Sequence, residues 1–171
     1  NHSAMEFKFS SDTRHLKSLE LSREALKRLH VDIGLPSSAS PRNRWLLALH
    51  ERGAPGAHIP PRPVVAPALS QPGTQSAIQS GLLSACEAAS EGDAAGVQSG
   101  FERAGEAGVE GIRSYIDAGV PPPNAPLTVH GGWIRNFSSG RPVHVEGKGS
   151  NKPLYDTGEL YHSFSFEVIS D

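Results

Sequence analysis

The stretch DAAGVQSGFERAGEAGVEGIRSYIDAG, residues 93–119, decides the fold. Val97, Phe101, Val109, Ile112 and Ile116 recur at helical spacing, which predicts a long helix with one apolar face. Asp93 suits the N-cap. Gly119 suits a left-handed stop, and the prolines at 121–123 prevent a restart. Gly96, Gly100, Gly105, Gly108 and Gly111 lie in the same segment. Each costs a helix about 1 kcal/mol relative to alanine. A helix that keeps them must approach another backbone closely, or bend.

The residues just before this stretch supply a partner. From Thr74 to Ser90, Ile78, Leu82, Cys86 and Ala89 fall on one stripe, and Gly92-Asp93 breaks the two helices apart. Further out, FKFS (7–10) alternates like a strand. Asp12 can cap a helix with apolar positions Leu16, Leu19, Leu21, Leu26 and Leu29, and VDIGLP (31–36) reads as a short strand stopped by Pro36. Trp45, Leu46, Leu47 and Leu49 in RWLLALHERG (44–53) suit a buried strand or a short helix ending at Gly53; Ala48, His50, Glu51 and Arg52 are poor strand formers and favour the helix. GAPGAHIPPRPVVAP (53–67) is too proline-rich for a central strand. On the other side, GWIRNF and RPVHVEG, separated by SSG, predict a hairpin. SFSFEVIS (163–170) places Phe164, Phe166 and Val168 on one face of a terminal strand. The expected fold is α+β: a small antiparallel sheet packed against a pair of long helices, with extended Pro/Gly-rich loops.

Composition narrows the function. The 171 residues suffice for one domain with a modest core. NHSA before Met5 reads as a vector-derived addition, so that domain is expected over residues 5–171, with 1–4 outside it. Sixteen basic residues nearly balance 18 acidic ones. Lys17, Arg23, Lys27 and Arg28 are interleaved with Glu20 and Glu24, which describes a solvated helix face rather than a nucleic-acid site. No sequence-specific nucleic-acid binding is expected. A single cysteine, Cys86, forms no internal disulfide and fits a reducing compartment. No run reaches membrane-spanning length, so no membrane partner is expected. Low hydrophobicity with many glycines and prolines implies a small core that neighbouring subunits help to complete.

Few motifs carry chemistry. The eight histidines show neither HxxxH nor HxH spacing, so no metal site is expected. No serine sits in GxSxG, and no glycine-rich loop joins a strand to a helix in a phosphate-cradling pattern, so no cofactor is expected either. The triplet Asp156-Thr157-Gly158 is the loop an aspartic protease uses. A dyad needs two carboxylates sharing one proton, so this single copy would require a homodimer. The better reading is a helix start. Asp156 and Glu159 have capping-box spacing, Asp156 or Thr157 can receive helix N–H groups, and Leu154 and Leu160 can flank the turn. Arg62, between Pro61 and Pro63, stands on a stiff segment that can present it to a carboxylate on another segment or subunit, or simply expose it as a structural arginine.

Three segments resemble one family. HERGAPGAHIPPRPVVAPAL (50–69) resembles the HE-x-G … IP-x-RPF segment of tail-completion, or virion-morphogenesis, proteins of long-tailed bacteriophages and prophages. AGEAGVEGIRSYIDAGVPPPNAPLTV (104–129) resembles the helix and proline loop that follow there. GGWIRNFSSGRPVHVEGKGSNKPLYDTGELYHSFSFEV (131–168) resembles its C-terminal part, with the KPL-x-DTG-x-L-x-x-S-I signature. The segments occur in the family's order; Val64, Tyr155 and Phe164 replace other apolar residues common there. The resemblance implies a non-enzymatic structural protein of the virion tail or neck, made in the bacterial cytoplasm. Its implied partners are other tail, neck and head proteins and further copies of itself, in a ring. The expected contact residues are Arg62, Trp133, Phe137, Phe164 and Phe166. The alternative is the homodimeric protease built on Asp156.

Overall fold

Gly81 and Gly100 set the distance between the two long helices, α4 (Pro72–Glu91) and α5 (Ala94–Ala118). The computed structural model describes residues 13–57, 59–124, 126–135, 139–147, 149 and 158–171. In it, Gly92 takes a left-handed conformation, the Asp93 carboxylate accepts the Gly96 N–H at 2.9 Å, and α5 returns antiparallel along α4. A Cβ added at Gly81 would lie 2.6 Å from the Ala104 nitrogen; one at Gly100 would lie 2.6 Å from the Ala85 nitrogen. The backbones therefore touch, and only small residues fit between them. This corrects the expected stripe on the first helix at Cys86, while Ala89 is buried as expected and Leu82 packs beside it. Its buried face is Gly81, Ala85 and Ala89, whereas Cys86 and Leu83 are exposed. Close approach selects the small residues and turns the larger ones aside.

The remaining buried face of α5 carries a two-stranded sheet. β1 (Leu29–Gly34) pairs antiparallel with β4 (Ser165–Ser170), Ile33 opposite Phe166 and Val31 opposite Val168. Gly105 lies under the Phe166 ring and Gly108 under Ile33, positions where a Cβ would collide with those side chains. The main core gathers Val64, Ala68, Val109, Ile112, Ile116, Val120, Leu160 and Phe164. A second cluster, Ala85, Ala89, Val97 and Phe101, is covered by Leu26, Leu29, Val31 and Val168.

Helix α1 (Thr13–Arg28) lies against the end of α4 near the interhelical turn. The buried Ser22 hydroxyl reaches the Ala89 carbonyl at 2.9 Å and its own Leu19 carbonyl at 3.0 Å. Leu19 and Leu26 turn inward, but Leu16 and Leu21 are exposed. Residues two apart on a helix point to different sides, so Leu19 and Leu21 cannot share a face. α2 (Pro41–Arg52) is capped by the Ser40 hydroxyl and stopped at Gly53, and it packs Leu46 and Leu47 on the main core. The proline-rich segment is more ordered than an extended loop. Ala54 bridges to Ile59, and α3 (Val65–Leu69) follows. The expected strand at 7–10 and the cap at Asp12 lie outside the described residues.

The predicted hairpin forms from β2 (Gly131–Arg135) and β3 (Pro142–Glu146). It follows α6 (Pro126–His130) and forms a sheet separate from β1–β4. The last helical turn is α7 (Glu159–Ser163), which packs near α2.

Candidate functional site

Arg62 faces inward. It is only 7% exposed. Its Nε donates to the Pro122 carbonyl at 2.7 Å and its Nη2 to the Pro123 carbonyl at 3.1 Å. Two parallel donors from one planar guanidinium suit two successive carbonyls of residues that carry no backbone N–H themselves. Desolvation lowers the Arg62 pKa below the ordinary arginine value. Beside it, the Arg62 N–H donates to the His50 carbonyl at 2.6 Å. The Glu51 carboxylate accepts the Val64 and Val65 N–H groups at 2.9 and 3.1 Å. Glu51 thus caps α3, whose own N-cap residue, Val64, supplies no side-chain bond. The IPPRP segment is an internal clasp between α2, α3 and the proline run. Arg62 is therefore corrected from a contact residue to a buried structural one.

Phe164 is buried as well. It is 1% exposed, within the main core, and Phe166 is half-buried over Gly105. Burying one phenylalanine stabilises a fold by about 2–3 kcal/mol, so both rings help hold the body together, and Phe166 keeps part of its surface open.

The hairpin behaves differently. Trp133, opposite His144, is 72% exposed, and the two rings meet edge-on at 5.2 Å. On the other face Ile134 and Val143 are exposed and Val145 is half-buried. Arg135 and Arg141 flank the tip, both exposed. Among the described elements the hairpin packs chiefly on α6, and the Gly149 N–H closes its base on the Val129 carbonyl at 3.0 Å. It is an arm with apolar side chains on both faces. Phe137 lies outside the described residues.

The second surface is an edge with a groove beside it. The Asp171 N–H bonds the Arg28 carbonyl. In an antiparallel ladder the bonded pairs alternate, so those facing β1 are Ser165, Glu167 and Ile169. The N–H and C=O groups of Phe166 and Val168 turn to the open side. Since Ile33 covers Gly108 and Phe166 covers Gly105, the open side of β4 lies toward Glu106, Val109, Glu110 and Arg113. These residues, with Phe164, Ser165 and Phe166, line a groove of about 380 Å³. Arg113 donates to the Phe164 carbonyl at 3.3 Å and lies 5.9 Å from the centre of the Tyr161 ring, while its Nε is buried without a partner among the described residues. Glu106 and Glu110 are exposed. Sequence reading passed over this site and over Glu51. The available signal was the spacing of Glu106, Glu110 and Arg113 along the polar side of α5, at helical intervals.

Asp156 and Thr157 lie outside the described residues. Gly158 occupies the N-cap of α7 in a left-handed conformation with no side-chain bond, so Glu159 is the first helical residue and not the third, as a box would have it. Among the described residues, no group of three or more His, Cys, Asp or Glu could hold a metal ion, and no helix is long and apolar enough to cross a membrane. No family model, curated protein or solved structure matches the chain.

Proposed function

We propose that this chain is a non-enzymatic assembly protein of a bacteriophage or prophage, acting at the tail end or neck. It forms an oligomeric ring that completes the tail and joins it to the head, in the virion and, before that, in the host cytoplasm. The resemblance of segments 50–69, 104–129 and 131–168 supports this reading. The structural observation that carries it is the arm. A two-stranded hairpin with Trp133 72% exposed on one face and Ile134 and Val143 exposed on the other has more apolar surface than its place on α6 uses. Such an arm is suited to contact with a neighbour, and head-to-tail contacts that close by rotation generate rings. The test is imaging of particles assembled without this protein. Filled heads accumulating beside unattached tails is the expected outcome; a normal yield of joined, infectious particles overturns the reading.

A further inference from the structure

We propose that the β2–β3 arm of a second copy of this chain lies along the open edge of β4, extending the β1–β4 sheet, with Arg135 and Arg141 set against Glu106 and Glu110. This deepens the assembly reading above and rests on it: it names the two surfaces through which copies meet.

Each half of the contact has what the other lacks. The edge of β4 offers the N–H and C=O groups of Phe166 and Val168, which have no backbone partner among the described residues. An open edge of this kind is a template for strand addition. Beside it the groove has an apolar floor, Val109, Phe164 and Phe166, and a rim bearing Glu106 and Glu110, with Arg113 drawn in to the Phe164 carbonyl. Neither carboxylate is in an ion pair with a described residue. The arm offers strands of five residues with outer edges of their own, the exposed Trp133 on the same face as Arg135, and two exposed arginines at its tip end. The charges are complementary within one sequence, and this favours another copy of the chain over an unrelated partner. The arm and the groove sit on different elements, so the contact is heterologous and can propagate around a ring.

The experiment uses the full chain and two charge-reversed forms, Glu106→Arg/Glu110→Arg and Arg135→Glu/Arg141→Glu. Mass is read by sedimentation across a concentration series. All four positions are exposed, so both forms fold. The wild type associates, each reversed form alone associates at least about tenfold more weakly, and an equimolar mixture of the two recovers assembly, since each then meets an opposite charge. Amide exchange supplies a readout that needs no variant: the Phe166 and Val168 amides exchange quickly in dilute monomer and slowly in the assembly. If the wild type assembles but neither reversal weakens it, or those two amides stay fast, this contact is overturned and the ring reading stands. If the wild type remains a monomer at every concentration, both are overturned.

Discussion

Arg62 holds two carbonyl oxygens of the proline run, so its removal acts on folding first. Arg62→Ala strands buried acceptors and should lower stability by about 2–3 kcal/mol, read as a lower urea midpoint. Arg62→Lys should not restore it, because a single ammonium cannot match two carbonyls with a planar fork. Glu51→Ala should cost about 1–2 kcal/mol by uncapping α3, and Glu51→Gln, which keeps an acceptor oxygen, should cost less. A midpoint unchanged in Arg62→Ala would return Arg62 to the surface role. At this scale the sequence was legible only in part. Asp93 was found as a cap because its acceptor and donor are three residues apart. Glu51 was missed because its donors are 13 and 14 residues away. The Arg62 partners lie 60 residues off, where spacing says nothing.

Among the elements, the helix pair makes the sharpest prediction, because two glycine-to-alanine changes should have opposite signs. Gly100→Ala adds a helix-favouring methyl worth about 1 kcal/mol, but drives it into the Ala85 backbone, 2.6 Å away. The net effect should be a loss of about 1–3 kcal/mol. Gly73→Ala, in the first turn of α4 with nothing within 4 Å, should gain up to about 1 kcal/mol. Thermal unfolding of the two variants decides the matter; a stabilised Gly100→Ala would mean that the helices stand further apart. The elements themselves were readable: the long helices, the hairpin and the last strand follow from period and turn chemistry. Which side of α4 faces α5 was not. Hydrophobicity selects the largest apolar residues, whereas contact between backbones selects the smallest.

For the whole molecule, the body and the arm are separable. Replacing residues 131–147 by a short Gly-Ser link should leave the melting temperature of the body within about 3 °C, since the arm packs chiefly on α6 and adds little to either core. The same change should abolish self-association by sedimentation. A large drop in melting temperature would show the arm to be part of the body. The α+β class was legible from the order of periods along the chain. The division of its strands into two separate sheets was not, since strand signals do not say which strands meet. The pairing of β1 with β4 joins residues 29–34 to residues 165–170. During synthesis the ribosome delivers α5 long before β4 exists, so the helix face at Gly105 stays bare until Phe166 emerges. Local helix contacts form at once; closure of the body waits for a partner made more than 130 positions after β1 begins. A nascent chain halted before residue 165 therefore carries an uncovered apolar flank that invites chaperones.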